Sequence, residues 1–141
     1  MAKTYSDLIS EVRAAVKTVS LEELKRRLDA KEPYVLVDVR EKEEVRTGFI
    51  PGAVSLPRGF LEIQAEQRLP DKKAKLVLYC VSGTRSALAA KTLMDLGYEQ
   101  VESAMPGITR WKDLGFPMEV PAQLTPAQLD PLVNRTLGTV R

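Results

Sequence analysis

A chain of 141 residues, 44% of them hydrophobic, is long enough for one domain with a real core and gives no room for a second. Its 21 basic and 19 acidic residues leave a formal charge of +2, a balance that points to neither nucleic acid nor a membrane as partner. One cysteine and no histidine exclude an internal disulfide, a cysteine cluster and the usual zinc ligands, so neither a metal nor a cofactor is expected.

The N-terminal stretch MAKTYSDLISEVRAAV lacks the continuous apolar core of a signal peptide, and no later segment approaches a membrane span. A cytoplasmic location is the default expectation, and it suits a thiol that must stay reduced. Residues 6–16 predict an amphipathic helix, with Leu8, Ile9, Val12, Ala15 and Val16 on one face and Ser6, Asp7, Glu11 and Arg13 on the others. A lone short helix is marginal in water, so this one must dock on its own domain, a second copy or a partner. A second helix starts at Ser20, where Ser20 and Glu23 form a capping box, and runs through Leu21, Leu24 and Leu28. The run YVLVDV then suits a buried strand of a parallel sheet, with Asp38 and Arg40 at its end. An ion pair is expected between Arg40 and Glu43 or Glu44. GFIPGA reads as a tight connection into the short strand Val54-Ser55-Leu56, followed by a helix over 58–67 with Phe60, Leu61 and Ile63 apolar.

The stretch KLVLYCVSGTRSALAAKTLMDL carries the chemistry. Leu76 to Tyr79 form an apolar strand, and Ala87, Ala90, Leu93 and Met94 recur at helical spacing. Between them lies the loop Cys80-Val81-Ser82-Gly83-Thr84-Arg85. The cysteine sits where the strand ends, beneath N–H groups of the next helix that lack intrahelical partners. The positive end of the helix and a nest of loop amides both favour thiolate over thiol. Sites of this kind bring a cysteine from near 8.5 to about 3.5–7.5. Without histidine, this electrostatic route to an activated nucleophile is the one that remains. Gly83 allows a positive φ, and Arg85 supplies a fixed planar cation. A single cysteine at a strand end is more often a small buried hydrophobe; the unbroken order of strand, cysteine, loop, arginine and helix argues for the nucleophile. That reading requires a sulfur not sealed away from solvent.

Gly97 caps the helix, Val101 to Ala104 form a short strand, and Pro106 and Gly107 open a turn that borders the mouth of the site together with Met105. Ile108 to Leu114 contain Trp111, assigned to packing. Arg58, Arg110 and Lys112 are weak candidates for a basic rim, since such residues are ordinarily solvated charge. Repeated strand and helix signals predict an α/β domain of three layers, a central parallel sheet flanked by helices, with ligands at the carboxyl ends of the strands. The expected partition is a helical N-terminal extension over 1–18, the domain over 19–120 and a C-terminal extension over 121–141. In the last, a helix starts near Thr125 or afresh at Asp130-Pro131, with Leu129, Leu132, Val133 and Leu137 as its apolar stripe. The two extensions are expected to pack on each other or to form a homodimer contact.

Three segments together resemble the rhodanese family of sulfurtransferases: VDVREKEEVRTGFIPGAVSLP, CVSGTRSALAA and PGITRWKDLGFPMEV. The resemblance covers roughly residues 20–120 and implies a rhodanese-like fold. It implies that Cys80 accepts a sulfane sulfur from a donor such as thiosulfate, becomes a persulfide and passes the sulfur to a thiophilic acceptor. Val81, Ser82, Gly83, Thr84 and Ser86 would form the substrate-binding loop, Arg85 would orient the donor or organise the loop, and Asp38 and Arg40 would support it. Many relatives carry histidine where this chain has Phe49, which removes a titration but leaves the nucleophile untouched. Four residues separate Cys80 from Arg85; the related dual-specificity phosphatases need one more, which would put the arginine at Ser86. A thiosulfate-sized donor fits better than a phosphate ester, and phosphatase or arsenate-reductase chemistry is the minor alternative. With no second cysteine the persulfide needs an external thiol or protein acceptor. The other alternative is a sulfur-carrier or partner-binding module with little turnover of its own.

Overall fold

Strand residues divide by parity into two cores. In the computed structural model, which describes residues 2–121, Leu76 and Leu78 cluster with Val37, Ala87, Ala90 and Leu93, while Val77 and Tyr79 cluster with Leu36, Leu21, Leu24 and Trp111. Both sets are buried, as a strand covered on two faces requires. The strands are β1 (Lys17–Ser20), β2 (Val35–Asp38), β3 (Val54–Ser55), β4 (Lys75–Tyr79) and β5 (Gln100–Met105). They form one sheet in the order β1-β5-β4-β2-β3, parallel at every pairing.

Helices α1 (Tyr5–Ala15), α4 (Leu61–Arg68) and α5 (Thr84–Asp95) contribute to the first core. Helices α2 (Leu21–Asp29), α3 (Lys42–Val45) and α6 (Ile108–Asp113) contribute to the second. The expected three-layer α/β architecture is therefore the observed one. No helix among the described residues is long and apolar enough to cross a membrane.

Several local expectations change. Helix α1 opens with a capping box between Thr4 and Asp7 and packs on α5, burying Val12 and, just past its end, Val16. Leu8, expected on the buried face, is exposed. At α2, Ser20 Oγ accepts from Glu23 N at 3.1 Å, but the Glu23 carboxylate turns to Arg26 and Arg27 instead of closing the box. Three N–H donors from two cations outweigh the single backbone N–H that would close the box. Strand β1 has no counterpart among the predicted elements. Of the apolar residues expected to anchor the helix over 58–67, Leu61 is buried, but Phe60 is exposed and Ile63 is 80% exposed; Ala65 takes the inner position. The helix expected from Thr125 or Asp130 onward, and its pairing with α1, lie outside the described residues.

Candidate active site

From β2 the chain moves outward to β3, and from β4 it moves the other way to β5, so the carboxyl ends of β2 and β4 flank the crevice where open α/β sheets bind ligands. Asp38 ends β2, and Cys80 directly follows β4.

Gly83 N donates to Cys80 Sγ at 3.1 Å and Ser86 N does so at 3.4 Å, while Ser86 Oγ lies 3.5 Å from the sulfur. The Ser86 hydroxyl also contacts Gly83 O at 3.2 Å and Ser103 Oγ at 2.8 Å. It carries one hydrogen. With a neutral thiol its oxygen accepts from S–H; with a thiolate it turns to donate, and Ser103 supplies a donor to the oxygen. Burial pushes the Cys80 thiol up. The Ser86 hydroxyl and the N–H groups of Ser86, Gly83 and Ser82 outweigh that and bring it below its ordinary value. A lowered value means thiolate forms at lower pH. Alkylation of the native protein by iodoacetamide should therefore switch on at a lower pH than that of a small thiol titrated alongside. A midpoint at or above the small thiol's would show that the amides do not ionise the sulfur.

Two glycines let the loop close around the cysteine. Gly83 has φ 105°, and a Cβ there would stand 2.2 Å from Met105 Sδ. At Gly107 a Cβ would collide with the backbone that follows the sulfur, 2.4 Å from Val81 O and 2.6 Å from Cys80 O. Ile108 N donates to Cys80 O at 2.9 Å and Thr109 N reaches Val81 O at 3.5 Å. The start of α6 thus holds the loop backbone, and Met105, Pro106 and Gly107 border it as expected.

The predicted residues are brought together unequally. Cys80, Gly83 and Ser86 form the cradle, Val81, Thr84 and Arg85 are half-buried around it, and Ser82 is exposed. Arg85 points its fork at Glu44 of α3, with contacts of 2.8 and 3.0 Å. Arg85, opposed by burial, holds the Glu44 carboxyl below its ordinary range. Arg40 does not pair with the Glu43 or Glu44 carboxylate. It binds Asp38 through Nη2 at 2.8 Å and through Nε, and donates to Gly48 O at 2.7 Å and Glu44 O at 3.4 Å. Both partners are buried, at 1% and 2% exposure, and a desolvated carboxylate keeps the nearest cation, which leaves the Glu44 carboxylate to Arg85. Arg58 binds Glu62 and Thr92, while Arg110 and Lys112 stand exposed on α6.

The cradle shifts the thiol toward thiolate, the direction a nucleophile requires. At rest it does not meet the demand for access, because Cys80 is 1% exposed. A cavity of about 670 Å³ lies at the opposite, amino ends of the strands, among Arg27, Tyr34, Lys75, Tyr98 and Glu102; it is remote from the sulfur and is not where its chemistry occurs. Ser103 was not singled out from the sequence, and Glu44, expected beside Arg40 as one of the residues that hold the loops near the site, was not foreseen as the partner of Arg85. They lie 17 and 41 residues from their partners, and no local pattern marks them.

Residues 20–114 match the rhodanese-like domain model. A protein named sulfurtransferase from Allochromatium vinosum is 36% identical over 106 residues, which are 75% of this chain and 97% of that one. A putative sulfur carrier protein of Bacillus subtilis is 34% identical over 102 residues, 72% of this chain and 54% of that protein, so this chain spans about half of that relative. A solved structure from Rhodopseudomonas palustris, of unknown function and described as a possible tyrosine phosphatase, superposes with a TM-score of 0.74 at 30% identity, over 84% of this chain and 96% of that one.

Proposed function

This chain belongs to the rhodanese-like family, and from that premise we propose that it is a sulfurtransferase moving a sulfane sulfur from a thiosulfate-like donor to a thiol acceptor through a persulfide on Cys80. The observation that carries the reading is the convergence of Gly83 N–H, Ser86 N–H and the Ser86 hydroxyl on the sulfur of the chain's one cysteine.

The Cys80 thiolate attacks the outer sulfur of thiosulfate, a new S–S bond forms, and sulfite leaves with the electron pair of the old one. The persulfide's terminal sulfur carries the negative charge, and the same amide cup stabilises it. An acceptor thiolate then attacks that outer sulfur, and Cys80 departs as thiolate into its original cradle. Because Cys80 is 1% exposed, the surrounding ring must part for the donor. Exchange of Glu44 for the donor's sulfonate at Arg85 is the movement the geometry offers: one oxyanion replaces another on the two arms of the guanidinium, which is never left bare. A reducing cytoplasm suits such a cycle. The loop argues against phosphoryl transfer, since the position that would carry a phosphatase's arginine holds Ser86, whose N–H and hydroxyl are committed to the sulfur.

The burial of Cys80 favours a second reading, a carrier that loads and unloads only against a docked partner. Intact mass after exposure to thiosulfate decides between them. A reversible gain of about 32 daltons with sustained turnover to cyanide or a small thiol supports the enzyme. A gain and turnover that appear only when a partner protein is added support the carrier. No gain with or without a partner overturns both, and hydrolysis of a phosphate ester assayed alongside would replace them with the phosphatase.

A further inference from the structure

In the resting site the loop's own arginine is neutralised, because both arms of Arg85 lie on Glu44. A second guanidinium reaches the loop from outside the matched residues 20–114. Arg13 of α1 donates from Nη2 to Thr84 Oγ1 at 3.5 Å, the outer limit of a hydrogen bond, and Thr84 is the first residue of α5, next to Gly83 of the cradle. Its position is set by the fold: Val12 beside it is buried in the same core cluster as Cys80 and Ala87, and Val16 anchors the end of the helix there. Glu11, its near neighbour in sequence, is occupied by Lys3 at 2.8 Å. Among the described residues Arg13 makes no ion pair, and it is exposed.

We propose that Arg13 draws the anionic end of the sulfur donor to the mouth of the Cys80 loop, a positioning residue that favours small doubly charged donors. The proposal rests on the sulfurtransferase reading and adds to it the residue that selects the donor by its charge. The attraction scales with the visitor's charge, so removing one cation that slows a monoanion about threefold should weaken a dianion about tenfold. Added salt should erase much of both effects, since Arg13 stands in solvent.

The test compares the 141-residue chain with its Arg13→Gln and Arg13→Lys variants. Alkylation of Cys80 by iodoacetate, a monoanion, is measured against iodoacetamide, its neutral counterpart; both reagents meet the same thiolate, so any change in its ionisation cancels in the ratio. In Arg13→Gln the iodoacetate to iodoacetamide ratio should fall about threefold and lose most of its salt dependence, while KM for thiosulfate rises about tenfold and kcat stays within about twofold. Arg13→Lys should restore most of the ratio. An unchanged ratio overturns the proposal whatever happens to turnover. Equal losses in kcat and kcat/KM with an unchanged ratio would mark a structural role and overturn it as well. If the wild type fails to use thiosulfate while the ratio still falls, the sulfurtransferase reading is lost and the placement of Arg13 at the mouth is upheld.

Discussion

Cys80→Ser should take up no sulfur from thiosulfate, and its transfer rate should fall by at least about a thousandfold, as when a nucleophile is removed from an otherwise intact site. The serine oxygen can still accept from Gly83 N and Ser86 N, so the loop retains its partners and the fold should persist. What is lost is the ionisable sulfur. A hydroxyl stays protonated at neutral pH in a cup that favours thiolate over thiol, and oxygen has little affinity for sulfane sulfur. The chain has no other cysteine to take the sulfur instead. Intact mass and a turnover assay on the same sample check this. A variant that retained transfer within tenfold of the wild type would show that the sulfur passes elsewhere and that the cradle serves another purpose. Cys80→Ala is the less informative choice, because it leaves two buried N–H groups without an acceptor and mixes a folding defect with a chemical one.

Arg40→Leu should be the most destabilising single change near the site. Its guanidinium bridges the end of β2 to the Gly48 turn and the end of α3, and its removal strands the Asp38 carboxylate at 1% exposure. Breaking a buried pair from one side costs about 3–5 kcal/mol, which for a domain of this size lowers the thermal midpoint by roughly 10–20 °C. The paired replacement Asp38→Leu with Arg40→Leu should recover part of that loss, because no charge is left buried without a partner. Denaturant unfolding of the three variants tests both statements. A cost below about 1 kcal/mol for Arg40→Leu would mean that water reaches Asp38 and that the pair is not a structural strut.

What the sequence made legible was local. The apolar run from Leu76 to Tyr79 and the helical spacing from Ala87 to Met94 announced the strand, loop and helix around Cys80, because each pattern lies within a dozen residues and points one way. Strand β1 escaped because it is four residues long between two helices and buries only Val19 of its four. The 58–67 helix was recognised but its inner face was misjudged, since Phe60 and Ile63 are apolar yet exposed while the smaller Ala65 meets the sheet. The partners that define the site's electrostatics were out of reach for a different reason. Arg85 and Glu44 are 41 residues apart, and Arg13 and Thr84 are 71 apart. Charge alone could not tell which carboxylate Arg40 would choose, because the deciding quantity is burial at the end of β2.

Strand β1 also bears on how far the chain can be trimmed. It covers the outer margin of β5, pairing Lys17 to Ser20 with Glu102 to Met105. A chain begun at residue 20 would leave that margin as an open row of backbone donors and acceptors, and would also uncover the apolar surface of α5 against which α1 lies. Such a row is a template for another molecule's strand. The first nineteen residues therefore bear on solubility as well as on the catalytic loop, because the sheet then ends on the four-residue β1 in place of the longer, six-residue β5.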